Sequence, residues 1–134
     1  MKLQYVKAKK VLIVDPFDGI EEQETPNLAF DFSHHLTIYE DRYACTTEVK
    51  VCSVLENTTV TNDFMDTIFE SVFLKEDKDD QEEKAVYQES FNQVYLHIRM
   101  LLVSLMAAAM LRPFLLPADP PDLKKSVDSQ QEKL

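Results

Sequence analysis

Glycine is almost absent. Gly19 is the one glycine among 134 residues, where average usage would place about nine. Phosphate-cradling loops and dinucleotide-binding turns need glycines where the backbone closes on a ligand. Nucleotide-dependent activities of those kinds are therefore excluded. Positive charge is also short: 14 Lys and Arg against 24 Asp and Glu leave a formal charge of −10. That sign opposes a nucleic-acid partner, whose affinity comes from cations neutralising phosphates, and favours solubility or a basic protein partner. Long uncharged apolar runs are lacking too. The run over residues 90–116 is broken by His97, Arg99 and Arg112, leaving an uncharged window only from 100 to 111, well under the roughly 20 residues a membrane span needs. The opening Met-Lys-Leu-Gln-Tyr has no apolar signal-peptide core, so a cytoplasmic protein is expected. Cysteine is limited to Cys45 and Cys52. Read on one strand, they stand about 23 Å apart at about 3.3 Å per residue and cannot pair within it. Two unpaired thiols fit a reducing compartment, as small buried hydrophobes.

What is present is organised around residues 90–116. Phe91, Val94, Tyr95, Ile98, Leu101, Leu102, Leu105 and Ala109 recur at three- and four-residue spacing, which predicts one apolar face of an α-helix. Ser90 followed by Gln93 matches a capping box, and Pro113 supplies a stop. The opposite side carries Leu96, Met100, Val103, Met106, Ala107 and Met110, so almost no polar stripe is left. A helix apolar nearly all round must be covered on both sides. A chain of one domain, residues 1–134, has few elements for that, and a second subunit is expected to cover Leu96, Met100, Val103, Ala107 and Met110 as an oligomer interface.

The rest reads as strands. Residues 5–14 interleave lysines with Val6, Ala8, Val11 and Ile13, and Asp15-Pro16-Phe17-Asp18-Gly19 breaks the pattern with turn chemistry. Leu28, Phe30, Phe32, His34, Leu36 and Ile38 alternate with polar residues over 28–39. After Glu40-Asp41-Arg42 a second alternation covers 43–55, which predicts a hairpin. The stretch 64–74 is ambiguous by period, but its β-branched and aromatic content between turn signals favours a fourth strand. Residues 75–84 hold six acids and three lysines, a solvated loop or helix lead-in. After the helix comes an extended apolar crossover, then a short second helix starting at Asp119-Pro120-Pro121 and running over 122–129, with 124–134 as a frayed tail. Strands first and helices after predict an α+β fold: a four-stranded antiparallel sheet meandering in chain order, with both helices on one face.

This element order, with the pattern Asn92-x-Val94-Tyr95-x-x-x-Arg99, apolar Leu102 and Met106, Pro113, the Leu-Leu-Pro ending at Pro117, then Asp119 and Leu123, resembles SecB, the bacterial export chaperone, and its SecB-like relatives. The likeness covers nearly the whole chain as element order and about 30 residues as sequence. Where SecB usually has a proline inside the aromatic-to-arginine pattern, this chain has Leu96, and Ala107-Ala108-Ala109 replaces its glycine before the crossover. The resemblance implies a homodimer or tetramer that holds unfolded polypeptide in apolar grooves without ATP or any cofactor, through Phe114, Leu115, Leu116 and Leu123. It also implies a possible contact with the translocation ATPase SecA.

Other constellations point to structure rather than chemistry. His34 and His35 face opposite sides of a strand and match no zinc spacing, so no metal is expected. Arg99 interrupts an apolar helix, and a buried cation is costly unless paired, so a structural ion pair is expected there. Ser104 lies two turns from His97, but nothing supplies a nucleophile turn, and no enzyme is expected. The crossover either plugs the core or lines a groove for foreign chain, and methionines at 100, 106 and 110 suit an adaptable surface as well as ordinary packing. The alternative to a general chaperone is a module of the same fold that binds one folded partner.

Overall fold

The computed structural model describes residues 1–14, 27–54, 61–76, 82–108, 116–121 and 123. Four strands, β1 (Lys2–Ile13), β2 (Asn27–Ile38), β3 (Arg42–Val54) and β4 (Thr61–Leu74), precede one helix, α1 (Glu83–Ala108). The strands form one antiparallel sheet and the helix lies on one face of it. The alternation expected from the sequence sets the faces: Tyr43, Cys45, Thr47, Val49 and Val51 of β3 and Met65, Thr67, Phe69, Ser71 and Phe73 of β4 are all buried on the helix side. The stretch ambiguous by period is a strand.

The order of strands corrects one expectation. β2, β3 and β4 do meander, but the sheet runs β1-β4-β3-β2, so β1 lies against β4 at the far edge. Connection length explains it. Residues 39–41 join β2 to β3, which forces a hairpin, whereas residues 14–26 separate β1 from β2. Thirteen residues easily cross three strand spacings, about 14 Å at about 4.8 Å each. Three hairpin-connected strands with a fourth returning beside them make a Greek key. β1 carries two register shifts, between Leu3 and Tyr5 and between Ala8 and Lys10, while β2 pairs with β3 without a break.

The helix begins seven residues before the expected start. Ser90 is not a cap but an interior residue, fully buried, whose hydroxyl donates back to the Tyr87 carbonyl at 2.9 Å, a bond that lets serine sit inside a helix. The charge run supplies the true first turn, where the Val86 amide donates to the Glu82 carbonyl and Glu83 meets the positive end of the helix dipole. Glu, Lys and Ala favour helix without any apolar period, so periodicity alone misses this turn. Val86, Tyr87, Phe91, Val94, Tyr95, Ile98, Leu102 and Met106 are the buried stripe. Met106 therefore belongs to the core side, one turn beyond Leu102, and Leu101 is exposed, both opposite to the expected sides. Ala109 lies outside the described residues, as does the expected second helix over 122–129 apart from Leu123; Asp119, Pro120, Pro121 and Leu123, at its expected start, are not helical. No helix among the described residues is long and apolar enough to cross a membrane.

Candidate functional site

Three surfaces meet along α1. The first is its contact with the sheet, centred on His34. This ring is fully buried, with Nδ1 2.8 Å from the Thr47 hydroxyl and Nε2 3.0 Å from Ser90 Oγ. Because Ser90 gives its hydroxyl proton to the Tyr87 carbonyl, it accepts from His34, which makes Nε2–H the donor and Nδ1 the acceptor of the Thr47 proton. The Tyr87 hydroxyl donates to the His34 carbonyl, and the rings of Tyr87 and Phe91 stand edge-on to the imidazole at 5.0 and 5.4 Å. Burial, then the nearby His35, lowers the His34 pKa to about 3, so the ring is neutral. Burial also pushes the Cys45 thiol up to about 11, against the opposing effect of the Ser90 and Ser71 hydroxyls. A neutral thiol and a neutral imidazole shut away from solvent hold helix to sheet; they offer no nucleophile. His34 and His35 do face opposite sides, the second being exposed, and no group of three His, Cys, Asp or Glu among the described residues could hold a metal.

The second surface is the flank of α1 carrying Gln88, Tyr95 and Arg99, against which residues 116–121 and Leu123 lie. The Tyr95 hydroxyl donates to the Pro117 carbonyl at 2.6 Å, and Arg99 Nε donates to the Leu116 carbonyl at 3.0 Å. Gln88 Nε2 donates to the Pro121 carbonyl at 3.3 Å, and the Leu123 amide donates to Gln88 Oε1 at 3.1 Å. Leu116 and Leu123 are 3% and 6% exposed and belong to the main core cluster. Of the crossover residues singled out in the sequence, these two fill the protomer's own core; Phe114 and Leu115 lie outside the described residues. Arg99, from which a carboxylate partner is expected, makes its hydrogen bond to a carbonyl; Asp119 is a nearby acid, felt with Arg99 at the Tyr95 phenol, whose pKa is raised chiefly by burial. Gln88 is a residue that sequence reading missed. Its only signal is position, one face of the helix shared at steps of seven and four with Tyr95 and Arg99.

The third surface is the outer stripe of α1. Leu96 is 53% exposed and Met100 71%, with Ala107 also exposed and Val103 half-buried. Met110, the next in the series, lies outside the described residues. Among the described residues the protomer covers this stripe only in part, at Val103, and leaves Leu96, Met100 and Ala107 exposed.

The far face of the sheet carries charge of both signs, with Lys2 and Arg42 beside Leu74 at one end. Further along it Lys7, Lys9, Lys10 and Lys50 meet Asp31, Glu48, Asp66 and Glu70, as the register and the ion pairs Lys10–Asp66 (2.8 Å), Lys50–Glu48 (3.1 Å) and Lys9–Glu70 (3.2 Å) show.

Neither a family model nor a curated protein sequence matches the chain. In three dimensions it is similar to the SecB-like chaperone Rv1957 of Mycobacterium tuberculosis, a structure solved in complex with a ChAD peptide from the Rv1956 HigA1 antitoxin. The TM-score is 0.60 at 12% identity, over 87% of this chain and 88% of that one. The α+β arrangement of four antiparallel strands and a long helix is therefore a SecB-like fold.

Proposed function

We propose that this chain is an ATP-independent binding protein for unfolded or extended polypeptide, of SecB-like type, which works in the cytoplasm as a homodimer or tetramer. The observation that carries the reading is the two-sidedness of α1: one side is spent on the protomer's core, while Leu96, Met100 and Ala107 stand exposed and Val103 half-buried, at four- and three-residue spacing. That spacing is the seam by which helices associate, and a second copy is the occupant proposed for it, with Met110 continuing the series. Clients are proposed to bind at the crossover, through Phe114 and Leu115, with Leu116 and Leu123 anchoring it in the protomer's own core. A free, buried Cys45 suits the reducing compartment. Contact with SecA would need an acidic docking face. The net charge is compatible with one, but the far face of the sheet, where lysines and an arginine stand among the acids, does not supply it.

A second reading is favoured by the neighbour's own ligand, a peptide from one antitoxin: a module dedicated to a single partner. Light scattering of an aggregating denatured client separates the two. Suppression at stoichiometric amounts, with a solution mass of two or four chains, supports the general chaperone. No suppression, with saturable binding of one peptide only, supports the module, and a well-behaved monomer overturns the role given to the outer stripe.

A further inference from the structure

We propose that one end of the sheet's outer face, bounded by Lys2, Lys7 and Arg42, docks an acidic segment of a protein partner that carries an apolar side chain between its carboxylates. The site lies on the side of the sheet away from α1, so it stands apart from the polypeptide-binding reading above. The register sets two rows there. Lys2, Leu74 and Arg42 lie side by side on β1, β4 and β3, and Tyr5, Val72 and Ala44 fill the next row on the same face. Tyr5 is 51% exposed and Leu74 43%. The solvated face of an antiparallel sheet is ordinarily polar, and an apolar block with a charged rim has the make-up of a contact surface.

The cations on this rim are available to a partner. Further along the face lysines are spent internally, Lys9 on Glu70, Lys10 on Asp66 and Lys50 on Glu48. Lys2 and Lys7 make no ion pair among the described residues, and Glu70, which lies across from Lys7, is held by Lys9. Arg42 meets Asp41 at 3.2 Å, but both are exposed, and such a pair exchanges for a new carboxylate at little cost. Its guanidinium also lies over the Tyr39 ring, 4.6 Å from the centroid, which holds it at the edge of the block. The other acids at this end are Glu40, on the turn beyond Tyr39, and Glu76, which pairs with the Met1 amine. Spacing selects the segment. The levels of Lys2 and Lys7 are four residues of β4 apart, Leu74 to Glu70, about 13 Å at about 3.3 Å per residue. In an extended segment residues i, i+2 and i+4 share one face over the same about 13 Å. An acid-x-aromatic-x-acid pattern therefore sets its carboxylates against the two lysines while its ring covers Tyr5, Val72 and Leu74. Nucleic acid fits less well, because three cations neutralise few phosphates and a chain of formal charge −10 repels a polyanion.

The test titrates the full, isotope-labelled chain with the peptide Gly-Ser-Glu-Thr-Phe-Thr-Glu-Ser-Gly and follows amide shifts by NMR. Shifts concentrated at Tyr5, Ala44, Val72 and Leu74 are expected. Affinity should fall at least tenfold between about 50 and about 500 mM NaCl, and at least tenfold when both glutamates of the peptide are glutamine. The double variant Lys2→Glu and Arg42→Glu should also bind at least tenfold more weakly. A second variant, Lys2→Gln with Lys7→Gln, breaks no ion pair of the described fold and should weaken binding in the same direction. Unchanged affinity in both variants, or no shift at millimolar peptide, overturns the proposal. So does displacement of the peptide by a reduced, carboxymethylated client, which would put it on the surface used for clients, and so does tighter binding of a short oligothymidylate of equal charge. The polypeptide-binding reading fails or stands separately: suppression of client aggregation should be the same in both variants as in the wild type.

Discussion

Acid should weaken this fold through one residue. His34 is protonated in the unfolded chain with a midpoint near 6.5, but in the folded protein only near pH 3. Between those values the unfolded state binds about one more proton than the native state, so stability rises with pH across the window and falls as pH is lowered. Each unit is worth about 1.4 kcal/mol, so from pH 7 to pH 4.5 the His34 contribution falls by about 3 kcal/mol, a large part of the 5–15 kcal/mol typical of a domain. The groups facing the ring do not blur the signal: Tyr87 and Phe91 from the helix carry no charge there, Thr47 and Ser90 do not titrate, and Cys45 titrates far above the window. His35 stands on the opposite face and adds a smaller push in the same direction. Urea unfolding at half-unit steps from pH 7 to 4.5 measures the slope, with His34→Gln as control. Glutamine can donate to Ser90 and accept from Thr47 while staying neutral, so the variant loses ring contacts at every pH but not the pH slope. Parallel curves for wild type and variant between pH 6 and 4.5 would refute the account of His34.

Three further outcomes follow from the packing. Phe91→Ala removes a fully buried ring that meets Phe32 at 6.1 Å and Tyr95 at 5.7 Å, and should cost about 3–5 kcal/mol by denaturant midpoint. Leu96→Lys with Met100→Lys should leave protomer stability within about 1 kcal/mol, since both sites are exposed, while light scattering shows the mass falling to one chain. Cys52 should react with a thiol reagent in the folded protein well before Cys45, which is buried with a raised pKa and should react only as fast as the fold opens.

The faces of the sheet were legible in the sequence because strand side chains alternate: Phe32 and His34 read as inward, and His35 as outward, from period two alone. Neighbours were not. Nothing in the pattern of β1 says that Leu3 lies across from Phe73 rather than from a residue of β2, because alternation encodes which face is buried and not which strand lies alongside. The bare stripe of α1 was visible for a related reason: Leu96 and Met100 exceed what one face can hold. Ser90 misled because a capping box and an interior serine bonded to the turn before it share the same local sequence. Gln88 left no trace because a polar residue on a helix flank looks solvated until a distant backbone, here 33 and 35 positions away, arrives beside it.

The pairing of β1 with β4 sets the timing of assembly. Partners from Lys2–Leu74 to Ile13–Met65 are 52 to 72 positions apart, so on a ribosome the earliest strand must wait for nearly the latest. At 5–20 residues per second that delay is roughly 4–14 s, during which β2, β3 and β4 can close their hairpins in microseconds. The nascent chain thus passes through a three-stranded stage with one margin vacant, and in that interval the twelve residues Lys2–Ile13 are themselves an unpaired client in search of a partner.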